Sequence, residues 1–335
     1  METDFSHKLE KAVQNQIPFV LFRKPNESSV WLNVQDHSGE NQILFHSFDS
    51  QIEKLVSDSR PLEISQNEFE FEVELDLKNQ EKSNSVSREN YIQLVQKTID
   101  KIQNSAIRKI VISRIKIIEN QQINLFRTFK NLMVQHPGAL VYLWNHPGQE
   151  TWMGATPELL LHQSGNHIQT VSLAGTKLPE NNWTQKEIDE QAFVTDFIAE
   201  EFSELENLRI KGPETIQAGK FQHLKTYISA EAPADFDLKK LLGNIHPTPA
   251  VCGLPKKEAF DFVRENEGYD REFYAGYIGI ENKDMKTYFV NLRCAQFFQN
   301  QIEVYVGGGI TAESKPEKEW EETELKSGTI GNALR

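Results

Sequence analysis

Cysteine is nearly missing from this chain: Cys252 and Cys294 are the only two in 335 residues. Neither stands in a Cys-x-x-Cys or Cys/His pattern, which excludes a disulfide framework and argues against a structural zinc site. Long apolar runs are missing as well. No stretch of about 18 apolar residues occurs, so no membrane-spanning helix is expected. Met1 to Phe5 carries neither the basic nor the apolar part of a secretory signal. Positive charge is in deficit, with 36 Lys and Arg against 49 Asp and Glu and a formal net charge of −13. A nucleic-acid backbone or an anionic membrane is therefore not an expected partner. These absences together predict a soluble, cytoplasmic protein. If such an acidic chain binds an anion, it needs Arg, Lys, a metal ion or backbone N–H groups concentrated at one place.

What is present divides unevenly. Within an N-terminal region of residues 1–85, residues 1–77 alternate short strand-like runs (Pro18 to Phe22, Val30 to Val34, Ile43 to Phe48) with polar turns, and Phe69 to Leu77 alternates apolar with acidic residues. Lys78 to Asn90 is almost free of apolar residues and reads as a linker, so a smaller β-rich N-terminal region is expected to pack on a larger unit at 86–335. In that unit Tyr91 to Asn104, Lys186 to Leu208 and Lys256 to Glu265 have a helical period. Strands are expected at Lys109 to Arg114, Ala139 to Trp144, Glu150 to Gly154, Glu158 to His162 and Ile168 to Leu173. A hairpin of Met285 to Cys294 with Gln301 to Val306 follows. Meanders interrupted by helices predict an α+β fold, with large antiparallel sheets and helices packed outside.

Several segments carry residue types suited to chemistry. Val306-Gly307-Gly308-Gly309-Ile310 reads as an anion-friendly glycine loop. A helix after it puts Glu319, Glu322 and Lys326 on one face; the alternative is an ordinary charged helix. Lys109 shares a strand face with Val111, where partial desolvation suits a general base; the alternative is a solvated strand-edge lysine. Glu158 follows a Gly/Pro turn and precedes Leu159 to Leu161, a setting that raises a carboxyl pKa, unless it is a plain turn glutamate. Glu187 and Glu190 form a second carboxylate pair, with Glu190 bordering the apolar stripe. Such pairs suit Mg²⁺, although Glu187 also fits an acidic helix start. His246-Pro-Thr-Pro reads as a rigid loop presenting His246 or Thr248. Arg271 and Tyr274 form a further polar group. Arg293, flanked by apolar residues in an expected strand, calls for a carboxylate partner, from substrate or from protein.

In order, Lys109 to Arg114, Gly154-Ala-Thr-Pro-Glu158, Leu173-Ala-Gly-Thr176, Glu190-Gln-x-x-Val194, His246-Pro-Thr-Pro-Ala-Val251, Asp270-Arg-Glu-x-Tyr-Ala-Gly276, Leu292-Arg-Cys-Ala295 and Gly307-Gly-Gly-Ile with Glu319-Trp-x-Glu-Thr-x-x-x-Lys326 resemble the chorismate-utilising enzymes. The resemblance covers roughly 87–330 and is nearest to the isochorismate synthases of that family. It implies a chorismate-binding fold like that of anthranilate synthase component I, and chorismate as substrate. Lys109 would activate water for attack at C2, as in members that add water, and Glu158 would protonate the departing C4 hydroxyl. Glu190 and Glu322 would hold Mg²⁺, with Glu187 and Glu319 as secondary ligands. Tyr274, Arg293 and the Gly307 backbone would grip the enolpyruvyl carboxylate, and Thr176, His246 and Lys326 would line the pocket. A monomer without a glutamine amidotransferase subunit is expected. The product would feed menaquinone or siderophore synthesis. A salicylate synthase and an inactive chorismate-binding protein are the alternatives. Three residues depart from the family pattern: Gln191 where histidine is usual, Cys252 where glycine is usual, and Lys177 where isochorismate synthases often carry alanine.

Overall fold

Leu140, Tyr142 and Trp144 pack into one hydrophobic cluster, while Val141 and Leu143, between them in sequence, pack into another. The strand they form is covered on both faces, which is why it reads as a continuous apolar run. A computed structural model describes residues 4–80, 85–218 and 221–334. The chain opens with α1 (Asp4–Gln14), β1 (Phe19–Arg23), β2 (Ser29–Val34), β3 (Gln42–His46), β4 (Glu53–Ser57) and β5 (Leu62–Ser65). Next come α2 (Arg88–Gln103), β6 (Lys109–Glu119) and α3 (Leu125–Gln135). The meander β7 (Leu140–His146), β8 (Glu150–Thr156), β9 (Leu159–Ser164) and β10 (His167–Lys177) leads to α4 (Gln185–Glu201). The hairpin β11 (Glu206–Ala218) and β12 (Phe221–Glu231) precedes α5 (Leu238–Ile245), β13 (Gly253–Leu254) and α6 (Lys256–Asn266). The chain closes with β14 (Tyr277–Glu281), β15 (Met285–Val290), β16 (Cys294–Phe297), β17 (Gln301–Ile310) and α7 (Pro316–Gly331).

The strands form two antiparallel sheets. One has nine strands in the order β13-β6-β17-β16-β8-β7-β1-β2-β5, and the other eight in the order β11-β12-β10-β9-β15-β14-β3-β4. The larger hydrophobic cluster draws on both sheets, and Phe45 of β3 stacks on Trp144 of β7 with centroids 4.0 Å apart. Such a contact adds about 0.5–1.5 kcal/mol to the burial itself. The second cluster covers the other face of the nine-stranded sheet with α1, α3 and residues 69–77. β1 pairs with β7 and β3 with β14, so both sheets run without interruption across the division expected near residue 85. Residues 81–84 of the expected linker lie outside the described residues.

Three expectations are corrected. Phe69 to Leu77 alternates in burial as its sequence does, but among the described residues no strand pairs with it; its apolar side packs on the second cluster. The helix expected to reach Leu208 stops at Glu201. Phe202 closes its last turn, and from Glu206 the backbone finds a ladder partner in β12. Met285 to Cys294 is not one strand. β15 belongs to the eight-stranded sheet and β16 to the nine-stranded one, so the chain changes sheet at 291–293. It also changes sheet between β8 and β9, at Pro157 and Glu158.

Arg271, expected in a polar site, has a structural role. Its guanidinium pairs with Glu267 and donates to Val111 O and Val251 O, at 2.8 and 3.0 Å, while Glu267 also accepts from Ser113 N. The pair, 2% and 1% exposed, ties β6, the 246–252 loop and the start of the 271–276 turn together. Removing one member leaves a buried charge without its partner. Glu267→Ala should therefore lower the unfolding free energy by about 3–5 kcal/mol in urea denaturation; a loss below about 1 kcal/mol would contradict this role.

Candidate active site

Lys109 is the first residue of β6 and is 6% exposed, covered on its outer side by β13, whose Leu254 is its ladder partner. Its Nζ donates to Glu190 Oε1 at 2.6 Å. This is not a solvated strand-edge lysine. The space it fills is made by the glycines, which form no loop: Gly307 to Gly309 are strand residues of β17, paired with Ser113, Ile112 and Val111 of β6. A Cβ on Gly309 would stand 2.6 Å from Lys109 Cε and 3.6 Å from Glu190 Oε1, and one on Gly307 2.9 Å from the Tyr274 hydroxyl. One on Gly308 would stand 3.2 Å from Glu319 Oε2. Three missing side chains thus let Lys109, Tyr274 and Glu319 meet one strand.

Glu158 and Arg293 stand at two of the places where the chain changes sheet, β8 to β9 and β15 to β16. Burial pushes the Glu158 carboxyl up to about 7, against the opposing pull of Lys109, Lys326 and Arg293. Desolvation outweighs three cations, so about half of these carboxyls hold a proton near neutrality. Arg293 is no mid-strand residue. It takes a left-handed φ of 51°, and its Nη1 donates to Thr329 Oγ1 at 3.1 Å. Among the described residues no carboxylate lies within 4 Å of its guanidinium. On α7, Lys326 pairs with Glu322 at 2.6 Å and donates to Gly307 O at 2.9 Å. Glu319, one turn earlier, is buried. Tyr274 stacks on Tyr305, and burial raises its phenol far above its ordinary value, which keeps it a neutral donor.

Other expected groups have different surroundings. Glu187 Oε2 accepts from Thr184 N at 2.9 Å, folding back on the start of α4 as a capping residue does. His246 is buried edge-on against His46 and Tyr277, and burial pushes it down to about 3. Its loop instead gives Thr248 to the wall of a small void of about 10 Å³ beside Glu158. The Thr176 side chain lies outside what is described. Gln191 is buried in a clasp, accepting from Ala174 N and donating to Ser172 O and Thr226 Oγ1, so it fixes α4 on β10 and β12. Cys252 is buried, which raises its thiol to about 12. A larger cavity of about 250 Å³ is walled by Lys177, Leu178, Asn181, His223, Arg293, Glu322, Leu325 and Lys326. His223 escaped the sequence reading, although Leu224, Thr226 and Ile228 alternate with His223, Lys225 and Tyr227 and mark a strand.

A buried lysine, a proton-holding carboxyl, an arginine without a carboxylate partner and carboxylates on two helices converge here. That set suits a small dianionic substrate and acid–base work on it. The family model for chorismate binding enzymes matches residues 11–335. The chain belongs to the chorismate-binding enzyme family. It is 30% identical over 250 residues to the isochorismate synthase MenF of Haemophilus influenzae, covering 70% of this chain and 58% of that protein. To the vibriobactin-specific isochorismate synthase of Vibrio cholerae it is 28% identical over 264 residues, 73% of this chain and 67% of the relative. The matched stretch thus spans roughly three fifths to two thirds of these relatives. Among solved structures, the putative 2,3-dihydroxybenzoate-specific isochorismate synthase DhbC of Bacillus anthracis superposes with a TM-score of 0.80 at 25% identity. That match covers 97% of this chain and 98% of the other. Anthranilate synthase component I of Streptococcus pneumoniae shares the fold, with a TM-score of 0.74 at 16% identity over 93% and 92% of the two chains.

The glycine strand gives a sharp test. A Cβ at Gly309 meets the far end of a flexible lysine, whereas one at Gly307 meets the Ile112 carbonyl at 2.7 Å. Gly309→Ala should fold with a Tm within a few degrees of the parent and lose at least about tenfold in turnover of chorismate, while Gly307→Ala loses stability. Paired melting curves and activity assays check this, and full activity in Gly309→Ala would contradict it.

Proposed function

We propose that this chain is a Mg²⁺-dependent isochorismate synthase. Lys109, in its neutral amine form, takes a proton from a water molecule as that water attacks C2 of chorismate; Glu158 gives its proton to the departing C4 hydroxyl, which leaves as water while the ring double bonds shift. Every atom added at C2 is balanced by one lost at C4, so the step is reversible and needs no redox partner. The observation that carries this reading is Glu158: a carboxyl raised to about 7 by burial, within electrostatic reach of Lys109, Lys326 and Arg293, is an acid usable at neutral pH. Arg293 and Tyr274 bind the enolpyruvyl carboxylate, supported by the lack of a protein carboxylate on Arg293 and by the room left at Gly307. With water as nucleophile, no amidotransferase subunit is required. The isochorismate formed would supply menaquinone or siderophore synthesis.

The residues present fit a magnesium ion. Glu190 and Glu322 offer hard oxygen donors from two helices, the one or two carboxylates that such an ion takes while keeping waters and substrate oxygens. Both carboxylates are held ready by lysines, Glu190 by Lys109 and Glu322 by Lys326. Glu319 is a supporting group, and Glu187 serves the helix cap. When bound, the ion would neutralise the ring carboxylate and orient the ring.

Purified protein incubated with chorismate and Mg²⁺ should yield isochorismate, and chelation should stop it. Salicylate with pyruvate would make it a salicylate synthase. Chorismate binding without turnover would make it a binding protein. Anthranilate formed with ammonia would overturn the role of Lys109. Lys109→Ala should bind chorismate yet fail to hydrate it.

The pH dependence follows from Glu158. The protonated form is the active one, so kcat should fall as pH rises through about 7. Its folded pKa lies above the unfolded value, so between the two the unfolded chain releases its proton first and stability falls with rising pH. Glu158→Gln should therefore be inactive and melt higher than the parent at pH 8; a lower Tm there would contradict the burial of this group.

A further inference from the structure

We infer that Lys177 is the cation at the cavity mouth that captures the dianionic substrate. The inference rests on the chorismate reading above and concerns a residue for which that reading has no role. Lys177 ends β10 and forms part of the wall of the 250 Å³ cavity. Among the described residues of that wall the one carboxylate, Glu322, is paired with Lys326. An ammonium has three protons to give. Asn181 O at 2.7 Å and Gln222 Oε1 at 2.6 Å take two of them, while Leu178 O and Pro179 O, both at 3.4 Å, lie at the outer limit of hydrogen bonding. Every acceptor is neutral, and among the described residues no carboxylate stands within 4 Å of Nζ; the two long carbonyl contacts hold the third proton only weakly, so a ligand carboxylate can take it.

The surroundings hold that charge in place. The ammonium lies 5.1 Å from the Trp183 ring centroid, and Trp183 Nε1 donates to Thr215 Oγ1 of β11 at 2.9 Å, so the 178–184 loop is anchored to the sheet and the cation to the loop. Arg293 and Lys326 stand in the same wall. A substrate with two negative charges approaches a protein of net charge −13 against long-range repulsion. A local group of cations reverses the field at the mouth and raises the encounter rate. A carboxylate arriving there then receives the weakly held third Lys177 proton as a charge-assisted hydrogen bond.

The rival role is a mere staple for the 178–184 loop, and charge separates the two. Lys177→Gln keeps amide protons for the neutral acceptors but has no charge; Lys177→Arg keeps the charge. With steady-state kinetics on chorismate at several salt concentrations, Lys177→Gln should lose about tenfold in kcat/KM, mainly through KM, and its rate should depend less on ionic strength. Lys177→Arg should recover most of both. Equal kcat/KM and equal salt dependence in Lys177→Gln and the parent would overturn the proposal. So would a Lys177→Arg protein as impaired as Lys177→Gln. Calorimetric titration with chorismate makes the same comparison without turnover: a parent that binds but does not convert chorismate overturns the proposed function, and the ratio of Kd values still decides the role of Lys177. A parent that does not bind chorismate overturns both.

Discussion

The constraint on which the site depends is the pairing of two sheet changes, β8 to β9 and β15 to β16. The chain passes from the nine-stranded to the eight-stranded sheet after Thr156 and from the eight-stranded back to the nine-stranded sheet at Cys294, and these two passages are bonded to each other. Ala155 N donates to Arg293 O at 3.1 Å, Val290 N to Glu158 O at 3.0 Å, and Thr156 Oγ1 to Val290 O at 2.5 Å. The acid and the arginine are thereby fixed relative to one another by main chain, not by their flexible side chains. Asn291 holds the second passage, accepting from the Tyr142 hydroxyl and donating to Phe273 O. Arg293 itself adopts a left-handed backbone that costs a non-glycine residue on the order of 1 kcal/mol. The strain sits where a regular strand would have aimed the guanidinium elsewhere.

Around this point the protein concentrates charges in a poorly solvated cleft, which opposes stability. Glu158 is kept partly protonated by desolvation, and burial lowers the Arg293 guanidinium too. Lys109 and Glu190 compensate each other, as do Lys326 and Glu322. Support comes from outside the cleft: two hydrophobic clusters on the faces of the nine-stranded sheet, and the clamp of Arg271 and Glu267 beneath β6. The clamp bonds Val111 O, two residues beyond Lys109, and Val251 O, three beyond Thr248, so it orders both segments without entering the chemistry.

Much of this was legible in the chain. The strands around Tyr142 and Ile110 and the helices α2 and α6 announced themselves by period, and the motif series carried the family. What escaped reading has a physical cause in each case. Gly307 to Gly309 resemble a loop because glycine disfavours strands, yet here they are strand residues whose missing side chains admit Lys109, Tyr274 and Glu319. The break at Asn291 to Arg293 is invisible because both flanking strands are apolar and only tertiary pairing separates them. Glu187 and Glu190 look alike in sequence, but one folds back on its own helix start. The β11 and β12 hairpin was obscured because Glu206 to Leu208 continue a helical period that the ladder overrides. His246 and Thr248 lie two residues apart in an irregular loop, where no period indicates which faces the cleft.

The two passages between sheets also bear on how the protein is assembled. Lys109 and Arg293 are 184 residues apart in the chain, and neither sheet alone contains the cleft. Each sheet draws strands from both ends of the sequence, so the contacts that shape the site have high sequence separation and form late. Each sheet can complete its own hairpins before the acid and the arginine are in register. Recovery of catalysis during refolding is thus a clock for the docking of the sheets, set apart from the earlier gain of secondary structure.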